Sequence, residues 1–334
     1  MDRKPDRGFD GGQRGGAGMK GPSSLRTIKL AALLLAIAVS LSAQPVKEPT
    51  SAVSLERSQS IVYTDSTGTT IELDKIPGRI VSMGPNVTET IFALGAGASL
   101  VGRTDYCDYP RQVLEIDSIG TLWQPSIEKI LSLDPDLIVV SSLANEDVLS
   151  ALRKTGIPLA IINKQSSLAG TMEMIRDIGL LCGKQNESER LADNMEERIK
   201  AVEAKVAGLP RPTCYYVIDF GQFDSTATGD TYINEMIEIA GGDNVAKDGK
   251  YWTYSKESLA EKDPQIIVLS SHWGSDYEDT KRLFTTSSVY RDLSAVKNGA
   301  VYPIDSDAVD RQGPRTAQAI EDFARIFHPQ AMEH

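Results

Sequence analysis

Residues 126–142 (SIEKILSLDPDLIVVSS) return without a gap as residues 255–271 (SKESLAEKDPQIIVLSS), identical at eight of seventeen positions at an offset of 129. Each copy reads as a short helix carrying a glutamate (Glu128, Glu257), an Asp-Pro stop (Asp134-Pro135, Asp263-Pro264) and a β-branched strand ending in Ser-Ser. Upstream the likeness is weaker. Thr88-Glu89-Thr90-Ile91, running to Gly95, matches Asn234-Glu235-Met236-Ile237, running to Gly241, at an offset of 146. In both, a short amphipathic helix is closed by glycine, the usual C-terminal stop. Two copies at a period far above the roughly 20–50 residues of a solenoid unit make two lobes instead. Such a chain has a natural cleft, with one matching carboxylate on each side.

A chain of 334 residues is long enough for two cores of ordinary size. Its 41% hydrophobic and 24% charged residues describe a globular protein, and beyond the N-terminus no apolar run reaches the 18 or more residues of a membrane span. Residues 1–43 read as a signal segment, because Lys20, Arg26 and Lys29 precede the apolar run 30–39 and the small residues Ser40, Ser42 and Ala43. Met19 is the more ordinary start for such a segment than Met1. The only cysteines, Cys107, Cys182 and Cys214, lie far from that run, so attachment through a lipidated cysteine is not expected and export to a periplasm is. None sits in a CxxC or CxxH spacing, which makes burial as small apolar residues the default. Removing the signal removes seven basic and three acidic residues and takes the net charge from -11 to about -15. That balance excludes nucleic acid as a partner and suits docking to a basic surface.

Residues 61–73 read as a β-hairpin around Ser66-Thr67-Gly68 within an N-terminal extension, 44–78. The first lobe, 79–167, alternates strands (79–83, 100–103, 137–140, 159–162) with helices (86–94, 126–131, 145–154). Connecting helices fill 168–209. Within them Leu191, Met195, Ile199, Val202 and Val206, spaced by three and four, predict one amphipathic helix over 186–206, roughly 30 Å long and able to cross from lobe to lobe. The second lobe, 210–330, repeats the alternation with strands 213–219, 265–269 and 300–303 and helices 233–240, 256–261 and 314–327. Strands alternating with helices imply mainly parallel sheets covered on both faces.

Little here supports catalysis. There is no G-x-S-x-G elbow and no glycine-rich phosphate loop, and the only imidazoles are His272, His328 and His334. Three histidines, two of them near the C-terminus, also argue against a naked-metal site. The loops at the strand ends, where open α/β sheets hold ligands, are instead aromatic: Tyr106, Tyr109, Trp123-Gln124, Phe220 and Phe223, Tyr251-Trp252 and His272-Trp273. Flat rings with polar neighbours suit a large planar or chelate-like ligand. Asp305, Asp307, Asp310, Arg311 and Arg315 form a charged loop before the last helix, whose aspartates also suit helix capping.

With the twinned S-x-E helices, Asp108-Tyr109-Pro110, Trp123-Gln124, Trp252 and the pair Asp307/Arg311 in view, the chain resembles the periplasmic substrate-binding proteins of iron-siderophore/cobalamin ABC importers, and among them the cobalamin-binding members. The resemblance covers nearly all of 79–327. It implies an α/β fold of two Rossmann-like lobes joined by a single long α-helix, with a ligand cleft between them and only slight closure. It implies a monomer without a cofactor or catalytic residues, which captures a metal chelate (cobalamin, a ferric siderophore or haem) in the periplasm and delivers it to an inner-membrane ABC permease. Tyr106, Tyr109, Trp123, Gln124, Phe220, Trp252, His272, Trp273, Asp307 and Arg311 are the expected ligand contacts. Glu128 and Glu257 are the expected docking pair, each meeting a permease arginine. Two departures keep the cargo open: Ala308 and Val309 stand where bulky aromatics follow the Asp in the family, and His272-Trp273 has no counterpart there. The alternatives are a chelate-modifying periplasmic enzyme using His272 and a ligand-reporting partner of a membrane sensor.

Overall fold

The computed structural model describes residues 60–141, 144–164, 167–270 and 276–333. The signal segment, His272 and Trp273 lie outside the described residues.

The chain opens with the expected hairpin, β1 (Ile61–Thr64) antiparallel to β2 (Thr70–Leu73), in which alternate residues point inward. Then come β3 (Ile80–Met83), α1 (Pro85–Ala93), β4 (Leu100–Arg103), α2 (Ile127–Ser132), β5 (Leu137–Ser141), α3 (Glu146–Arg153) and β6 (Leu159–Ile162). The four strands β3 to β6 form one parallel sheet in the order β4-β3-β5-β6. Strands β3, β5 and β6 are buried at every position, as a sheet covered on both faces requires. Gly84 lets α1 start tight against the sheet, since a Cβ there would sit 2.6 Å from the Oγ of Ser141.

Two helices follow, α4 (Leu168–Leu181) and α5 (Gln185–Val206). The second lobe contains β7 (Thr213–Asp219), β8 (Ser225–Thr226), α6 (Tyr232–Ile239), β9 (Asp243–Asn244), α7 (Lys256–Lys262), β10 (Ile266–Ser270), α8 (Tyr277–Thr286), α9 (Ser294–Lys297), β11 (Val301–Ile304), α10 (Ser306–Asp310), α11 (Thr316–Phe327) and α12 (Pro329–Met332). Its own sheet runs β11-β10-β7-β8, with β9 also on β7. All pairings are parallel except β7 with β8. Two separate sheets of like topology are therefore present, as the repeat implies.

Three differences from the sequence reading stand out. The charged loop before the last helix is itself a helix, α10, capped by Asp305, whose carboxylate accepts from the Ala308 amide at 3.2 Å. Helix α11 begins two residues later than its proline suggests. Helix α8, capped by Asp276, has no clear sequence signature, because Thr and charged residues blur its apolar spacing.

Helix α5 has 22 residues and spans about 33 Å. Ala192 and Met195 pack in the core of the first sheet, Val202 and Val206 in that of the second, and Ile199 lies against both. Its neighbours also straddle the lobes. Leu168 at the start of α4 joins the second core while the rest of that helix joins the first, and Ala317 of α11 joins the first core while Ile320 and Phe323 join the second. Arg198 of α5 donates to Glu321 of α11 at 2.8 Å, which holds the Glu321 carboxyl below its ordinary value. All three cysteines are buried free thiols. Burial pushes the Cys182 thiol up to about 12.

Two consequences can be measured. Met195→Ala, which empties a fully buried site where α5 meets the first core, should cost about 2–5 kcal/mol in urea unfolding, with both lobes still melting in one transition. Glu321→Gln should cost up to about 1 kcal/mol at neutral pH, because the pair is partly exposed. A depressed carboxyl stabilises above its unfolded value and loses that contribution as pH falls through the folded one. Wild type and Glu321→Gln should accordingly converge in stability when titrated into the acid range.

Candidate ligand-binding site

The two S-x-E units are alike at atomic detail. Ser126 caps α2 by accepting from the Lys129 amide at 3.1 Å, and Ser255 caps α7 by accepting from the Ser258 amide at 3.0 Å. Asp134 and Asp263 both take left-handed backbone, φ 45° and 41°. An extended conformation is the usual preference before proline, but aspartate tolerates this region better than most residues. The strand ends also agree: the Ser141 hydroxyl donates to Met83 O at 3.4 Å, and that of Ser270 donates to Ile218 O at 3.3 Å. Glu128 and Glu257 are exposed at the second position of their helices, where the helix dipole favours a negative charge. Among the described residues neither carboxylate has a hydrogen-bond or ion-pair partner. Each helix turns tightly into the strand after it, so its start, with the glutamate, lies on the carboxyl-end side of its sheet.

On that same side an ion cluster bridges the lobes. Glu89 of α1, 3% exposed in its side chain, accepts from Arg315 Nε and Nη2 at 2.8 Å each and from Arg311 Nη1 at 3.3 Å. Arg311 also pairs with Asp108 of the first lobe and with Asp307 at 2.9 Å, while Arg315 reaches Asp305 at 3.0 Å. Burial pushes the Glu89 carboxyl up, opposed by hydrogen bonds and charge from Arg315 and Arg311. Burial likewise raises Asp307, opposed chiefly by Arg311. For Arg311 burial works against the charge, yet its bond to Asp108 and the carboxylates around it hold the group above its ordinary value. The repeat partner of Glu89 does a related job: Glu235 of α6 accepts from the Leu168 amide at the start of α4 at 2.8 Å. One glutamate from each lobe thus bonds a residue at the start of a helix that packs in both cores, Arg315 at the N-cap of α11 and Leu168 at the head of α4.

One aromatic ring touches the cluster directly. The guanidinium of Arg315 lies 4.4 Å over the Tyr109 ring, a cation–π contact across the lobes. Tyr106, in the same loop, meets Trp123 edge-on with ring centroids 5.4 Å apart. From the second lobe, Trp252 packs edge-on against Tyr232 at 6.1 Å, and the Tyr232 hydroxyl donates to the carbonyls of Val309 and Asp310, beside Arg311. Tyr109, Trp123 and Trp252 each leave more than a third of their surface open. Gln124 is exposed, and its backbone N–H donates to the Thr121 hydroxyl at 3.0 Å. Phe220 differs from the others, for its ring packs edge-on against both Phe284 and Tyr290 in the second lobe's core. The structure therefore joins Tyr109, Asp307 and Arg311 in one cluster, pairs Tyr106 with Trp123, sets Trp252 on Tyr232, and gives Phe220 a core contact.

Comparison with known proteins shows the family. Residues 80–308 match the family described as "Periplasmic binding protein". The chain belongs to that family. The chain is similar to an uncharacterized ABC transporter substrate-binding lipoprotein, YvrC, of Bacillus subtilis, at 28% identity over 80% of this chain and 86% of the relative. It is similar to a cobalamin-binding protein of Halobacterium salinarum, at 28% identity over 92% and 84% of the two chains. Among solved structures it resembles the periplasmic heme-binding protein RhuT from Roseiflexus sp. RS-1, with a TM-score of 0.67, 28% identity and coverage of 76% and 98%.

Two members of the cleft escaped sequence reasoning as site residues. Glu89 read only as part of a short repeated helix, although a carboxylate on a helix buried from Asn86 to Ile91 calls for a partner. Asp108 enters the sequence reading only as part of the Asp108-Tyr109-Pro110 motif. Removing Glu89 leaves two largely buried guanidiniums without their shared acceptor, so Glu89→Ala should destabilise the protein by about 3–5 kcal/mol in urea unfolding. Asp108, whose side chain is 52% exposed, is worth less, and Asp108→Asn should cost under about 1 kcal/mol.

Proposed function

We propose that this protein is the substrate-binding component of an ABC importer, a periplasmic carrier that captures a metal chelate between its lobes and hands it to an inner-membrane permease, with no catalytic step of its own. The observation that carries the reading is the pair of unpartnered glutamates at matching positions of twinned helices. Exposed carboxylates of this kind suit bidentate pairing with arginines on a partner. Two of them, one per lobe, let the partner sense whether both lobes stand correctly. The family and the name of the Bacillus relative support the transport role.

For the cargo we favour a corrinoid such as cobalamin. The cobalamin-binding relative spans 92% of this chain, and the open rings of Tyr109, Trp123 and Trp252 suit the faces and rim of a large macrocycle. The ion cluster adds a chemical criterion, because four carboxylates (Glu89, Asp108, Asp305, Asp307) surround two guanidiniums. Such an acidic excess receives neutral amide groups, as on a corrin rim, and repels the propionates of haem. Haem is the second reading, supported by the likeness to RhuT. In this account Tyr106, Gln124, Asp307 and Arg311 grip the ligand edge, and the chain acts as a monomer.

Titration of the purified protein with cyanocobalamin and with haemin, followed by absorbance and tryptophan quenching, tests the assignment. Saturable one-to-one binding, tighter for cyanocobalamin and without spectral change over time, is expected. Progressive conversion of either chelate would mean an enzyme. Trp123→Ala should weaken binding about three- to tenfold at unchanged fold, the order of one lost ring contact. Glu128→Ala combined with Glu257→Ala should leave binding intact while abolishing uptake in a reconstituted importer, and normal transport by the double variant would remove the docking assignment.

A further inference from the structure

Tyr251 and Trp252 stand side by side with φ 57° and 63°. Left-handed backbone is unfavourable for bulky residues, and two in succession is the pattern of a type I′ turn, which selects Asn and Gly. The turn is real: the Thr253 amide donates to Lys250 O at 3.2 Å, and residues 250 and 253 form an antiparallel bridge. The other two non-glycine residues with positive φ are Asp134 and Asp263 of the repeat, so this is the one strained place occupied by aromatic side chains among the described residues. Folding gains little from the choice, since Tyr251 is 80% exposed.

The strain is held from outside the turn. The Tyr251 amide donates to Asp230 Oδ2 at 3.0 Å and the Trp252 amide to Thr228 Oγ1 at 3.2 Å. The Thr228 hydroxyl in turn donates to Asp230 Oδ1, and Thr226 donates from its amide to Trp252 O at 3.0 Å. Hydrogen bonds from Thr228 and from the Tyr251 amide hold the Asp230 carboxyl below its ordinary value. Thr228 is fully buried, the turn ends two residues before the cap of α7, and Trp252 connects it through Tyr232 to the backbone beside Arg311. Strain kept by dedicated partners in order to expose apolar rings is the mark of a functional surface.

We propose that the turn at residues 250–253 is an aromatic platform of the ligand cleft, with Tyr251 a second ligand-contact ring beside Trp252 and with Asp230 and Thr228 the positioning residues that aim both. It rests on the reading of the protein as a chelate carrier and adds to that reading a contact and its support. Two exposed aromatic residues in succession suit the broad surface of a macrocycle more than a small, compact chelate.

The test uses the whole mature protein with cyanocobalamin and haemin as probes. Tyr251→Gly relieves the left-handed strain, so its melting temperature should rise, while affinity for the better-bound probe falls about three- to tenfold. Tyr251→Phe should bind as wild type. Thr228→Val, which keeps the shape and loses the hydroxyl, should weaken binding and change the near-ultraviolet circular dichroism of the tryptophans, and Thr228→Ser should restore both. Binding by Tyr251→Gly and Thr228→Val at wild-type strength would overturn the platform while leaving the carrier reading in place. If wild type takes up neither probe, the cargo assignment falls and the platform falls with it.

Discussion

Helix α5 is the constraint from which the rest of the molecule follows. Each parallel sheet must bury its faces, and each obtains part of that cover from the same helix: Ala192 and Met195 for one core, Val202 and Val206 for the other, with Ile199 between them. A bend at its midpoint would pull side chains out of a packed interior, where even a methylene-sized void is costly. Helices α4 and α11, which also contribute to both cores, brace it on either side. The lobes are therefore coupled through shared interior rather than through a flexible linker.

Rigid coupling determines how the cleft can work. Hinge proteins swing their lobes about a few loop residues that absorb large changes in φ and ψ, and the long helix here offers no such residues at its centre. Recognition must then come from side chains already in place. Glu89 holds Arg311 and Arg315 at the mouth of the second lobe, and Arg315 in turn covers Tyr109 of the first. The buried carboxylate gains its stability from a bidentate guanidinium and would be costly alone. Asp108, Asp305 and Asp307 around the two guanidiniums are about half exposed, so the buried Glu89 carries most of the hold.

Much of this was legible in the sequence because duplication repeats its own punctuation. Ser-x-Glu, Asp-Pro and Ser-Ser recur in order, and the structure repeats the caps, the left-handed aspartates and the serine bonds behind them. The spacing of Leu191, Met195, Ile199, Val202 and Val206 likewise revealed α5 to within one residue at its start. What escaped depends on contacts between distant residues. Nothing near Glu89 indicates that its partners are Arg311 and Arg315, since pairing across the cleft leaves no local pattern. Phe220 sits at a strand end like the other loop aromatics, and only Phe284 and Tyr290, far along the chain, show that it packs inward. The left-handed turn at Tyr251 and Trp252 contradicts local preference outright, and short helices such as α10 carry too few residues for their periodicity to register.

Hydrogen exchange at the centre of α5 tests the coupling most directly. Amides from residue 197 to 201 should exchange only through global unfolding, with the same denaturant dependence as the central strands of both sheets. Fast exchange there, through an opening that leaves β3 and β10 protected, would show that the helix breaks between the lobes and that a hinge has taken the place of the strut.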